Sequence, residues 1–403
     1  MGKKLKLSIS LIFIFLIGIS SVTFAETEKT ATEHAIKLTE LKQPELPERM
    51  ERFIFQSGYH FEYPDAVRGI FVTGHSAGGQ RFNTLIDLLD NTDLNSMVID
   101  IKDDFGYLTY VPENEESPFL DISQRYIKDT EAMMKRLEEH EIYPIARIVV
   151  FKDSVLAEKR PDLSFTQDGE VWKNRRNEAF VNPFLKEVWE YNVAIAEKAA
   201  QMGFKEIQFD YVRFPEGFER RDDILTYGTG EYSDGDRDNI QKRVDAVTDF
   251  VAYAREQLQK YDVDVSVDIF GYSATISEAP GIGQNFSRIS ENVDVISSMI
   301  YPSHWTSYFG IAKPDLHPYE LVDAYAKVEN EVLGKLENPP VSRPWIQDFT
   351  ASYLGAGNYR VYGKEEVEAQ IKALYDNGIY EFLLWNAGNR YTPNVNYKIG
   401  LDE

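Results

Sequence analysis

Two aspartates end two apolar runs of this chain: Asp210 closes Glu206-Ile-Gln-Phe-Asp210, and Asp268 lies near the end of Val263-Asp-Val-Ser-Val-Asp-Ile-Phe270. In an extended segment, successive side chains point to opposite faces. Ile207, Phe209 and Tyr211 then share one face, and Glu206, Gln208 and Asp210 the other; likewise Val263, Val265, Val267 and Ile269 oppose Asp264, Ser266 and Asp268. A strand buried on both faces reads as nearly continuous Val, Ile and Leu, so a polar face in such a run needs partners or a cavity. If the two runs are neighbours about 4.8 Å apart, their terminal carboxyl groups approach to about 5 Å, a spacing that suits one nucleophile and one proton donor. Two acids so close titrate apart, one staying ionised while the other holds a proton near neutrality. The bland alternative is that Asp210 pairs with Arg213 and only fixes the loop that follows.

The same alternation applied to Met97–Ile101 sets Met97, Ile99 and Ile101 against Val98, Asp100 and Lys102. Asp100, Lys102, Asp103 and Asp104 form a dense cluster whose oxygens could hold magnesium or calcium. The preferred reading is substrate hydrogen bonding, with an internal charge network from Asp100 to Lys102 or Arg147. Lys102 as a Schiff-base lysine is the aldolase alternative, but acidic neighbours would keep it protonated and weakly nucleophilic. Asp348, near the end of Pro344–Phe349, is a third acid whose parity is ambiguous. Tyr301-Pro-Ser-His-Trp305 and Trp385-Asn-Ala-Gly-Asn389 follow two further runs; rings there can stack on sugar faces while Asn, His and Tyr bond hydroxyls. The expected substrate-binding set is Asp100, Lys102, Asp104, Arg213, Tyr301, His304, Trp305, Trp385 and Asn386. The six histidines include no H-x-H or H-E-x-x-H spacing, which argues against a zinc hydrolase, and neither a metal nor a cofactor is expected.

Such groups need elements to hold them. From Ala66 onward, short β-rich runs alternate with longer helical patterns, the signature of parallel strands joined by helices. Eight strands are expected: Val67–Val72, Met97–Ile101, Tyr143–Val150, the stretch Glu206–Pro215 with Asp210 as its tip, Val263–Phe270, Val293–Ile300, Pro344–Phe349 and Tyr380–Trp385. Helices are expected through Leu89, and over Ile122–His140, Phe184–Met202 and Ile240–Tyr261; a polar insertion spans Lys152–Asn182. Eight such units over some 330 residues fit one (β/α)8 barrel with long βα loops better than an open doubly wound sheet, since no G-x-G-x-x-G follows the first strand. His75-Ser-Ala-Gly-Gly79 is not G-x-S-x-G. In a barrel the working groups sit at the carboxyl ends of the strands.

The chain of 403 residues carries a net charge of −23 and no cysteine. Nucleic acid is therefore not an expected partner, and disulfides, thiolate metal sites and cysteine nucleophiles are excluded. Lys3, Lys4 and Lys6 precede an uncharged apolar run from Leu7 to Phe24, and Thr23-Phe-Ala25 fits a small-residue cleavage site. Residues 1–25 read as a secretory signal peptide, the span also approaching the length of an uncleaved membrane anchor; removing it moves the net charge to −26. Residues 26–62, interrupted by Pro44 and Pro47, read as linker and lead-in, and 63–403 as the barrel.

Arg68-Gly-Ile-Phe-Val-Thr73, Val98-Ile-Asp-Ile-Lys-Asp-Asp-Phe-Gly106, Gln208-Phe-Asp-Tyr-Val-Arg-Phe-Pro215 and Met299-Ile-Tyr-Pro-Ser303 together resemble a bacterial glycosyl hydrolase barrel-domain family that is largely uncharacterised, over about residues 66 to 390. The chain is more distantly similar to the α-amylase-like clan. That likeness implies a nucleophile after strand four, an acid after strand five and a transition-state-stabilising aspartate after strand seven, which fall on Asp210, Asp268 and Asp348. Two departures stand out: the strand-five acid is Asp rather than Glu, and the arginine two before the nucleophile is Gln208. Glu278 is a reserve acid, and Arg213 a substitute cation. The expected function is a secreted or envelope-associated retaining glycoside hydrolase acting on a polysaccharide or oligosaccharide. A non-catalytic carbohydrate-binding barrel in cell-envelope assembly and a metal-dependent lyase or aldolase are the alternatives.

Overall fold

A computed structural model describes residues 54–233 and 238–401; the expected signal peptide and most of the linker lie outside them. No helix among the described residues is long and apolar enough to cross a membrane. Eight parallel strands close on themselves: β1 (Arg68–Val72), β2 (Ser96–Lys102), β3 (Tyr143–Val149), β4 (Glu206–Asp210), β5 (Asp264–Phe270), β6 (Val295–Met299), β7 (Trp345–Gln347) and β8 (Phe382–Trp385). Each pairs with the next, and β8 pairs with β1 to complete the ring. This is the expected (β/α)8 barrel.

Among the described residues, besides two short α-helices in the loops after β1 and β3, seven α-helices wrap it: α1 (Arg81–Asp90), α2 (Thr130–Glu139), α3 (Lys186–Met202), α4 (Asn239–Leu258), α5 (Phe286–Ser290), α6 (Pro318–Leu333) and α7 (Lys364–Asp376). The eighth helix is absent among the described residues. After β8 the chain runs in turns to Leu401, because Pro393 cannot continue a helix and Asn389 and Asn394 adopt positive φ; buried Val395 and Tyr397 cover that flank instead. The helix expected over Ile122–His140 also starts later. Ser123–Ile127 is an extra strand, and α2 begins only where the Asp129 side chain accepts from the Ala132 amide, a standard N-cap that satisfies one of the first turn's free donors.

The alternation of the strands sorts the apolar residues into two layers. Ile70, Ile99, Ile148, Phe209, Val267 and Ile346 pack outward against the helices. Val67, Phe71, Val98, Tyr143, Ile145, Trp345 and Leu383 fill the barrel. Gly69 lies between two strands at the crowded axis, where a Cβ would stand 2.6 Å from Leu383. At the amino-terminal end, fully buried Arg343 donates from Nε to Glu381 and from Nη1 to Glu206, and Tyr63, just before β1, accepts from its Nη2 at 2.8 Å. Arg343, Glu206 and Glu381 are 0% exposed there, so this end is packed with a satisfied ion network.

Candidate active site

Register brings the two aspartates together. Gln208 of β4 is level with Ser266 of β5, and Phe209 with Val267, so Asp210 and Asp268 end adjacent strands on the same inward face. Between them and the β2 loop stands Arg147 of β3, which is 1% exposed. Its Nε and Nη2 donate to Asp210 Oδ2 at 3.0 and 2.5 Å, its Nη1 to Asp100 at 2.6 Å, and Nη2 also to Asp104 at 2.8 Å. The other Asp210 oxygen accepts from the Tyr211 amide at 2.6 Å. Tyr211 takes a φ of 53° to make that turn, a left-handed conformation costly for an aromatic residue and concentrated at functional sites. Asp210 is thus held as an oriented anion by a fixed cation and a backbone donor.

Asp268 lives differently. It is 2% exposed, Arg147 does not bond it, and Oδ1 accepts from the Trp345 indole at 2.7 Å. Burial first, and then the charge of Asp210, push its pKa well above the carboxylate range, against Arg147 and the indole. A neighbouring pair of acids, one clamped by an arginine and one raised in pKa by burial and by its neighbour, is the electrostatic arrangement that nucleophile and acid roles require. Asp100 is raised to about 7 by burial, Arg147 opposing. Tyr301, buried at the end of β6, has its hydroxyl pushed up by burial and by Asp268 and Asp210, so it borders the pair. Trp385 stacks on Phe71 with centroids 4.1 Å apart, and the Arg147 guanidinium lies 5.5 Å from the Trp385 ring. His304 reaches the Tyr301 ring at 5.2 Å.

Other expected residues are placed elsewhere. Lys102 does not face the mouth: β2 pairs Asp100 with Arg147 but Lys102 with Ile148, so Ile101 is an extra residue that switches the parity. Its ammonium is buried against Asp153 at 2.6 Å and Asn192 of α3 at 2.9 Å. Asp348 is tied to the turn after β8, its oxygens accepting from the Thr392 amide and hydroxyl at 2.9 and 2.5 Å. Asn386 holds the same post-β8 turn, donating to the Asp348 and Arg390 carbonyls. Trp305 packs among Tyr308, Phe309 and Tyr325 of α6. Glu278 accepts from Gln241 and Asn285 at 2.7 and 3.2 Å. Arg213 neither pairs with Asp210 nor replaces a cation there; it lies over the Phe270 and Tyr211 rings, with Glu216 at 3.4 Å. Asp104 bridges Arg147 to Lys152, which also bonds Glu178 at 3.0 Å.

Arg147 was expected only in a charge network with Asp100, a bond the structure contains; its clamp on Asp210 and the indole of Trp345 on Asp268 are what sequence reasoning passed over. The signal for the arginine was present: Tyr143, Ile145 and Arg147 alternate with Pro144, Ala146 and Ile148. Arg147 supplies from the neighbouring strand the positive charge that Gln208 does not. Among the described residues no group of three or more acids, histidines or cysteines is arranged to hold a metal.

Residues 69–391 match the model of a family described as "Putative glycosyl hydrolase domain". Among solved structures, the chain is similar to the PgaB (BpsB) glycoside hydrolase domain from Bordetella bronchiseptica, at 15% identity over 80% of this chain and 95% of that one, TM-score 0.54. It is similar to an alpha-amylase from Lactobacillus plantarum at 14% identity over 80% of this chain and 71% of that one, TM-score 0.50. A hypothetical protein from Ruminiclostridium thermocellum is 32% identical over 49% of this chain and 96% of its own, TM-score 0.43. No curated protein sequence matches the chain.

Proposed function

The chain belongs to the putative glycosyl hydrolase domain family, and from that premise we propose that it is an exported glycoside hydrolase that cuts a polysaccharide with retention of anomeric configuration. The observation that carries the reading is the asymmetry of one adjacent pair: Asp210 bonded twice by Arg147, and Asp268 buried beside it, bonded by the Trp345 indole and its pKa raised by burial and by Asp210. In the first step the Asp210 carboxylate attacks the anomeric carbon while Asp268 gives its proton to the glycosidic oxygen, so the leaving sugar departs neutral. Esterification removes the Asp210 charge, and with it part of what raises the Asp268 pKa. In the second step Asp268, now the base, takes a proton from the water that displaces Asp210. Arg147 receives the carboxylate back.

Export rests on the apolar run from Leu7 to Phe24 behind three lysines. A substrate of several sugars fits the long loops and the aromatic rings at the barrel mouth. The test is hydrolysis of envelope and secreted polysaccharides, with product anomers followed by proton NMR from the first turnover. Initial release of the opposite anomer would replace the double displacement by single inversion through water. One observation favours a second reading, a barrel that binds glycan without cutting it: both Asp210 oxygens already have donors and Asp268 is nearly hidden. Binding with no turnover across the panel would establish it.

A further inference from the structure

The β2 loop presents an exposed phenyl ring on a stiff mount. Phe105 is 62% exposed, yet its surroundings are fully organised. Asp103 Oδ1 accepts from the amides of Phe105, Gly106 and Tyr107 at 2.9 to 3.1 Å. The Phe105 carbonyl accepts from the Ser154 and Val155 amides at 3.0 and 3.1 Å. Gly106 takes a φ of 104° with its missing Cβ directed at Asp153, so only glycine keeps the loop in this place. The ring therefore stays largely in water although burial of its apolar surface would be favourable. The preceding residue is Asp104, which bonds Arg147 and Lys152, so the ring stands at the edge of the mouth. Across the barrel Tyr272 follows β5, 38% exposed and stacked on Phe270 at 5.7 Å. In strand order around the mouth, Phe105 follows β2, Arg147 lies on β3, Asp210 ends β4, Asp268 lies on β5 and Tyr272 just follows β5.

We infer that Phe105 and Tyr272 are sugar-stacking platforms on either side of the catalytic pair, so that a glycan chain crosses the mouth and is cut at an internal bond. This rests on the hydrolase reading and adds to it the extent of the substrate and the point of cleavage. Neither ring contributes to the core, so alanine at either position leaves the fold intact while removing a flat apolar surface for the C–H face of a pyranose.

The experiment uses the full chain and a ladder of oligosaccharides of increasing length, prepared by partial hydrolysis of envelope polysaccharide, beside a short aryl glycoside. F105A and Y272A are each expected to raise KM for the long members roughly three- to tenfold. The loss should grow with length, exceed that on the aryl glycoside, and shift the product lengths in opposite directions in the two variants. A KM that does not depend on length in either variant, or release of single terminal sugars by the wild type, would overturn it. Should the wild type cut nothing, titration of the same ladder separates the two ideas. Weaker binding of long members by both variants would sustain the platforms while the hydrolase reading fell, and unaltered binding would remove the platforms as well.

Discussion

The two ends of the barrel are built from the same parts and do different things. Each holds a buried arginine among acids: Arg343 with Glu206 and Glu381 at the amino-terminal end, Arg147 with Asp210, Asp100 and Asp104 at the carboxyl end. At the first, the arginine and both acids are 0% exposed and Tyr63 closes the set. At the second, Asp104 is 41% exposed on its side chain, and a further acid, Asp268, stands beside Asp210 without touching the arginine. A buried ion pair is therefore weak grounds for function. What marks the upper end is a surplus acid, an exposed edge at Asp104, and two neighbouring carboxyl groups with different partners, one on Arg147 and one on the Trp345 indole.

One strand tests this most sharply, since Glu206 and Asp210 lie four residues apart on the same face of β4. Asp210→Asn should lower kcat by about 10⁴-fold or more, because an amide cannot attack, with circular dichroism and the melting curve close to those of the wild type. Glu206→Gln should do the reverse, lowering the melting temperature while kcat at moderate temperature stays near the wild-type value. Comparable turnover in the two variants would erase the distinction between the ends.

The arginines come next. Arg343→Met strands two carboxylates with no route to water, and breaking such a buried set costs about 3 to 5 kcal/mol, measurable by urea unfolding. Arg147→Met should cost less stability, since Asp104 is solvated and Asp100 accepts a proton near neutrality, but should disable the Asp210 anion and with it turnover. If Arg147→Met is the more destabilising of the two, the upper set is the main structural one.

Asp268→Asn should separate substrates by leaving group. Glycosides with poor leaving groups need the donated proton and should slow by about 10²- to 10⁴-fold, whereas activated aryl glycosides should slow far less. In the wild type, kcat/KM should fall as pH rises through the raised Asp268 pKa, since the acid must be protonated. The falling limb should disappear in the variant; equal losses on both substrate types would deny Asp268 the donor role.

Much of this site could be read from period-two patterning, and its failures share a physical cause. Asp210 and Asp268 were legible because their runs are regular, and regular strands of one barrel share a register. Lys102 was misread because a bulge at Ile101 reverses parity, and a bulge leaves no mark on a run such as Val98-Ile-Asp-Ile-Lys102. Asp348 and Asn386 matched by position after a strand, yet their partners lie in the turn at residues 389–392, in place of the helix that Pro393 prevents. Trp305 and Trp385 look alike in sequence; only the distribution of Tyr308, Phe309 and Tyr325 decides that the first belongs to the packing outside the barrel.

The smallest expected effect concerns Asp100, whose pKa is raised from 3.8 to about 7 chiefly by burial. The folded protein therefore binds a proton at Asp100 over a range in which the unfolded chain has released it. The resulting contribution to stability is complete below about pH 4, declines as pH rises through the interval, and is gone above about pH 7. One such group changes the slope of stability by at most about 1.4 kcal/mol per pH unit. Asp100→Asn keeps an oxygen for the Arg147 Nη1 but cannot ionise, so its melting temperature should decline less steeply than that of the wild type across this interval. Glu381 is also raised by burial, against Arg343, so Glu381→Gln should alter the slope in the same direction. The two ends differ in access, however: glycan bound at the mouth should change the pH dependence contributed by Asp100 and leave that of Glu381 untouched. Calorimetric scans with and without a long oligosaccharide would show this, and a slope equally responsive in both variants would mean that the packed end senses the mouth.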